Sequence, residues 1–249
     1  MQNMQFNLMI PGKGVKNIIF ASLAIWLVLQ VILENLFLSQ TYISTWFGLT
    51  PVTTIESLFV WQLGTYMFLH SLNPMHVLFN MLSLWFFGSE LEMRWGTRQF
   101  VTYYVVTGVG AAILYILGVQ VVGAILGQEP SVYRTTVVGA SGAVFAILLA
   151  YAILFGDRPI YLFGAFPMPA KYFVGIIALI EVISLTTSGF AGGVANLAHL
   201  GGLVSGFIYL MLWTRLNQLK WRKTGQTRRN LKLVVNHDKK EPTDPRYWN

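Results

Sequence analysis

The stretch VVGASGAVFAILLAYAIL, residues 137–154, is apolar almost throughout, yet near its start Ser141 is held between Gly139 and Gly142. A hydroxyl at the edge of such a helix ordinarily bonds to backbone or fills a packing gap. What it does here depends on the rest of the chain. Of 249 residues 55% are hydrophobic and only 11% charged, with a mean hydropathy of +0.57. Soluble domains carry about 25% charged residues, so the composition is that of a polytopic membrane protein. The absence of cysteine excludes disulfides, thiolate metal sites and a cysteine nucleophile. Four histidines without a ligand-like pair give no reason to expect a metal, and no cofactor is implied.

The net charge of +7 is unevenly placed, since ten of the 17 Lys and Arg follow Trp213. A basic juxtamembrane tail is most simply a cytoplasmic anchor beside anionic lipid, and no nucleic-acid partner is expected.

Hydropathy predicts six spans, at about 17–38, 75–93, 99–122, 138–155, 171–187 and 194–213. The first is too long for a cleavable signal, and no A-x-A-like site follows it. Residues 1–16 form a short cytoplasmic N-terminus, 17–213 the membrane domain, and 214–249 the cytoplasmic tail. The fold class is therefore all-α. Lys13, Lys16, Arg94, Arg98, Arg158, Lys171 and the tail lie on one side, whereas the opposite loops hold only Arg134. The positive-inside rule places both termini in the cytoplasm. The external loop 39–74 is too long to be structureless, and Trp46, Phe47, Phe59 and Trp61 suit a segment lying partly in the interface.

The second, fourth and sixth spans then run inward from the same face. They place His76 and Asn80, Ser141, and His199 within about two turns of it. Polar groups at this depth face a bundle interior or a watery cavity. Ser, His and His/Asn on three helices at one level are the ingredients of nucleophilic acyl transfer. The serine needs a base to take its proton, and His199 is the candidate. An oxyanion needs donors, which His76, Asn80 and the Ser141 N–H can supply. Glu181, the acid in a span nearest the site, reads as too deep to orient His199, so a Ser–His dyad without a third carboxylate is expected. Gly139 and Gly142 allow backbone to approach Ser141, and Gly202 and Gly206 form a small-xxx-small face that would bring the sixth span against the fourth.

Over about residues 41–213 these residues resemble the rhomboid family of intramembrane serine proteases, of bacterial type. The matching motifs are His76-x-x-x-Asn80, Gly139-x-Ser141-Gly142, and Ala198-His199-x-x-Gly202-x-x-x-Gly206. The resemblance implies a six-helix bundle in a bacterial inner membrane. In it Ser141 is nucleophile, His199 general base, and His76 with Asn80 the oxyanion hole. Glu92 and Arg94 resemble a structural Glu-x-Arg at the inner end of the second span. His70 resembles a family histidine preceding that span, set one residue further away. Two departures stand out. Gln62 follows Trp61 where the family has an arginine, which removes a charge that holds the external loop. Phe145 occupies a position often taken by a tyrosine that stacks on the histidine.

The resemblance further implies transmembrane protein substrates, cut near their outer ends and admitted from the bilayer through a seam between the second and fifth spans. Pro167 and Pro169 before the fifth span, and Gly189, Gly192 and Gly193 after it, would let that span move. Ser83 is the expected partner of Glu181 across the seam. Two other readings compete. A non-catalytic binder of membrane proteins would be marked by loss of Ser141 or His199. A small transporter would show charges along a path, but only Glu34 and Glu181 lie deep in spans.

Overall fold

The computed structural model describes residues 10–38, 42–126, 131–162, 165–187 and 194–228. The chain divides into two units, Met1–Leu210 and Met211–Asn249. The glycines 189, 192 and 193 and the tail beyond 228 lie outside the described residues.

Helix α1, Lys13–Leu38, is α-helical to Ala24 and π-wound from Ile25. Its first turn has no acidic residue of its own. Instead Glu92 accepts the backbone N–H groups of Gly14 and Val15 at 2.8 and 2.9 Å, so a distant carboxylate satisfies the donors that every helix start leaves open. This is a structural role for Glu92.

The segment 42–68 folds into three short helices, α2 (Tyr42–Phe47), α3 (Pro51–Glu56) and α4 (Gln62–Thr65), and a 3₁₀ turn, Tyr66–Phe68. Gln62 is fully buried at their centre. Its Oε1 accepts from the Thr50 N–H at 3.2 Å and from the Thr53 and Thr54 hydroxyls at 2.8 and 2.9 Å. Its Nε2 donates to the Thr45 and Trp46 carbonyls at 3.1 and 3.3 Å. A buried guanidinium would need a counter-charge; the neutral amide makes its bonds without one, so Gln62 ties the loop together without a charge. Trp46, Phe59 and Trp61 stack in sequence, with centroids 5.1 and 4.5 Å apart.

Helix α5 runs through Pro74–Ser83, Leu84–Gly88 and Ser89–Trp95 without interruption. Asn73 caps it, accepting from Met75 N–H at 3.0 Å, with Pro74 in the first turn. Gly96, at φ +81°, ends it. Helix α6 is Thr97–Leu126, α7 Ser141–Leu154, α8 Ala170–Thr187 and α9 Val194–Arg228. Between α7 and α8, β1 (Pro159–Leu162) pairs antiparallel with β2 (Phe166–Pro169). The all-α expectation therefore needs one small correction, and Pro167 and Pro169 lie in a ribbon.

Helix α7 starts at Ser141, three residues later than hydropathy predicts. Gly139 is at φ +131°, outside the helical region. Its N–H donates to the Tyr66 carbonyl at 3.0 Å.

The core lies along α6 and α7, where Phe100, Tyr103, Tyr104, Tyr115 and Ile147 are fully buried. Tyr103 donates its hydroxyl to Ala146 O at 2.7 Å, tying α6 to α7. Helix α9 meets α7 through glycine: a Cβ on Gly202 would fall on the Gly142 carbonyl, and one on Gly206 would press on Ala146. The expected close approach of these helices is present.

The exterior is apolar, with Phe20, Phe79, Leu179 and Phe207 more than half exposed. Helices Lys13–Leu38, Thr97–Ile125, Ala170–Thr187 and Ala195–Gln218 are each long and apolar enough to cross a bilayer. Together with these exposed apolar side chains, they make this an integral membrane protein. Ser141–Leu154 is shorter, 14 residues, or about 21 Å of rise.

Candidate active site

Ser141 is the first residue of α7. The opening N–H groups of a helix have no acceptor inside it, and the helix dipole is positive there. Any negative charge developing on an atom bound to Ser141 Oγ forms beside those donors. The requirement for Gly139 is also visible. A Cβ at that position would lie 2.9 Å from His76 Nε2 and 3.6 Å from Ser141 Oγ. The glycine thus opens the space between His76 and the hydroxyl.

Ser141, Phe145, His76, Asn80 and His199 line one cavity of about 530 Å³, together with Tyr66, Ser83 and Ile177. The four residues expected to act are therefore brought to a single space by three helices.

The tautomer of His76 can be read from its neighbours. Its Nδ1 lies 3.2 Å from the Ser71 backbone N–H, which can only donate, and 3.0 Å from the Ser71 hydroxyl. A neutral imidazole that accepts at Nδ1 carries its proton on Nε2, the atom that faces Gly139. His76 thereby presents a donor to the space beside Ser141. Asn80 is buried and donates one amide proton to the His76 carbonyl at 2.8 Å, one turn earlier on the same helix face. Its second amide proton is not used by that bond.

His199 lies flat on Phe145, with ring centroids 4.3 Å apart and 8° between planes. Phe145 is one turn beyond Ser141 on the same face of α7, so the stack brings the imidazole to the serine's side of the helix. The expected stacking is present without a tyrosine hydroxyl.

Sequence reasoning misplaced Glu181. Its Oε1 lies 3.1 Å from His199 Nδ1, and its Oε2 accepts from Asn196 Nδ2 at 2.6 Å. The Nδ1 approach is within ion-pair distance, but the ring N–H is not aligned for a hydrogen bond, and Nδ1 has no hydrogen-bond partner. Depth explains the correction. Glu181 stands six residues before the end of α8, about 9 Å, and His199 five residues after the start of α9, about 7.5 Å. Counted from the shared outer end, the two are level. Asn196, three residues before His199 on the same face, was missed too; the i, i+3 spacing is the signal that would have found it. Ser83 is not Glu181's partner. Phe87 of α5 stacks on Phe173 of α8 at 6.3 Å, and that antiparallel register sets Ser83 level with Ile177.

His70 adjoins the site, its ring 5.3 Å from that of His76. It is fully buried, and neither ring nitrogen has a hydrogen-bond partner. Burial, and then the neighbouring His76, push its imidazole down to about 4. The backbone at this position is clamped by Gln30, whose amide exchanges two bonds with His70 N and O at 2.8 and 2.7 Å. No group of three or more His, Asp or Glu side chains is placed to hold a metal among the described residues.

The family model for the rhomboid domain matches residues 57–216, the segment containing His76, Asn80, Ser141, Phe145, Glu181, Asn196 and His199. Rhomboid protease AarA of Providencia stuartii is 34% identical over 152 residues, 59% of this chain and 53% of that protein. RHOMBOID-like protein 1 of Arabidopsis thaliana is 34% identical over 155 residues, 60% of this chain and 33% of that protein. Rhomboid protease GlpG of Salmonella paratyphi A is 30% identical over 159 residues, 63% of this chain and 48% of that protein. The chain spans about half or less of the length of these relatives. The domain match covers more than half of the chain, and on that ground the chain belongs to the rhomboid family.

Proposed function

We propose that this protein is an intramembrane serine endopeptidase. The observation that carries the reading is the shared cavity: Ser141 at a helix start, His199 stacked one turn away, and His76 presenting Nε2–H. In the reaction His199 Nε2 takes the Ser141 proton as Oγ bonds to the scissile carbonyl carbon. The carbonyl π electrons move to oxygen, held by His76, the second Asn80 amide proton and the backbone N–H of Ser141. Collapse breaks the C–N bond, and His199 returns the proton to the leaving amine. Water repeats the sequence on the acyl-enzyme and frees Ser141. Two related proteins named rhomboid protease favour this over a non-catalytic client binder.

The reading places six helices across the membrane with both termini inside, on the distribution of Lys and Arg. A bacterial inner membrane suits it. The site then lies toward the outer face, and the substrates are transmembrane segments cut near their outer ends. The test is a single-span reporter co-reconstituted with the protein in liposomes. Cleavage by the natural chain and none by Ser141→Ala is expected. Equal cleavage by both would refute the reading.

A further inference from the structure

We propose that Glu181 is a positioning residue for His199, so that the site operates as Ser141–His199–Glu181. This rests on the reading of Ser141 and His199 as nucleophile and base. The carboxylate sits between two residues of one helix face, with Oε1 3.1 Å from His199 Nδ1 and Oε2 2.6 Å from Asn196 Nδ2. The side chains of His199 and Glu181 are only 18% and 13% exposed. Helix α8 is otherwise mostly lipid-facing: Leu179, Ile180, Val182 and Ile183, around Glu181, are each at least 45% exposed. Glu181 thus turns inward from an apolar stretch, and a carboxylate in such a segment is expected to meet a partner.

The chemistry gives that partner a purpose. A neutral imidazole donates from one nitrogen and accepts at the other. Directing Nδ1–H to the carboxylate leaves the lone pair on Nε2, where the Ser141 proton must go. Once that proton arrives, the carboxylate faces the imidazolium and offsets its charge, the role of the acid in serine-protease triads. Asn196 fixes the second oxygen so that the first stays on Nδ1. At 3.1 Å a small rotation of the ring aligns Nδ1–H with Oε1, and catalytic hydrogen bonds commonly tighten in the transition-state complex.

The test uses the full chain in detergent, with a fluorophosphonate probe for the acylation rate at Ser141 and a transmembrane reporter for kcat and KM. Glu181→Gln should lower labelling and kcat by up to about 10⁴-fold, the loss that follows when a triad acid is replaced by its amide, with KM and thermal midpoint unchanged. Glu181→Asp should recover part of the rate. Should Glu181→Gln fail to fold, Asn196→Ala keeps the charge and carries the test through a smaller fall in kcat alone. Wild-type labelling rates in the folded Glu181 and Asn196 variants, with His199→Ala unlabelled, would overturn the role of Glu181 and leave the dyad standing. Wild-type labelling of His199→Ala would overturn both.

Discussion

Phe145 and His199 form a face-to-face stack, 4.3 Å between centroids and 8° from parallel, across the α7–α9 contact that Gly202 and Gly206 make close. The stack limits the imidazole to positions beside Ser141. Aromatic pairs contribute about 0.5–1.5 kcal/mol beyond their buried area. Phe145→Ala should therefore slow peptide cleavage by about 2- to 10-fold, while Phe145→Tyr stays near the natural rate. Steady-state kinetics checks this, and an undiminished rate in Phe145→Ala would remove the stack from the account.

Asn80 is buried with one amide proton committed to the His76 carbonyl. If the second serves the oxyanion, Asn80→Ala should lower kcat by about 10²–10³-fold with little change in thermal midpoint. A variant that unfolds at the growth temperature would instead make Asn80 a structural residue.

His70 gives a pH dependence whose sign is fixed. Its imidazole is held near 4 in the fold by burial and by His76, against about 6.5 when unfolded. A folded value below the unfolded one means that stability is complete above about pH 6.5 and is lost as pH falls toward 4. At 1.36 kcal/mol per unit, the upper bound is about 3 kcal/mol. Thermal midpoints should fall across that window. His70→Phe, which puts an apolar ring where no hydrogen bond is made, should flatten the slope. An identical slope in the variant would assign the loss to other groups.

Much of this arrangement is legible in the sequence because the bilayer simplifies the problem. Lys and Arg predict the face, helical rise predicts depth, and together they set His76, Asn80, Ser141 and His199 at one level. What escaped has separate physical causes, one being that hydropathy and spacing carry no information about which way a side chain turns. Glu181 is level with His199 by simple counting, yet only the rotation of α8 brings its carboxylate onto Nδ1 and Asn196. Gln62 likewise reads as a lost charge, and only the fold around it reveals five polar atoms within an amide's reach. The start of α7 was missed because a backbone angle at Gly139, not hydropathy, sets it.

The seam between α5 and α8 supplies a prediction about access. Phe87 and Phe173 stack across it, with centroids 6.3 Å apart, away from the proposed reacting groups. Since the chain has no cysteine, Phe87→Cys with Phe173→Cys introduces its only thiols. A short bifunctional thiol reagent should block cleavage of a transmembrane substrate while a small probe still labels Ser141. Undiminished cleavage in a fully cross-linked sample would mean that substrate enters elsewhere.

The central claim is that the Ser141 hydroxyl is activated. Its most direct test is to treat the folded protein with a fluorophosphonate probe and map the adduct by peptide mass spectrometry. The account predicts one adduct, on Ser141, absent from Ser141→Ala and strongly reduced in His199→Ala. A folded natural chain that takes no adduct, or a Ser141→Ala variant labelled to the same extent, would contradict it.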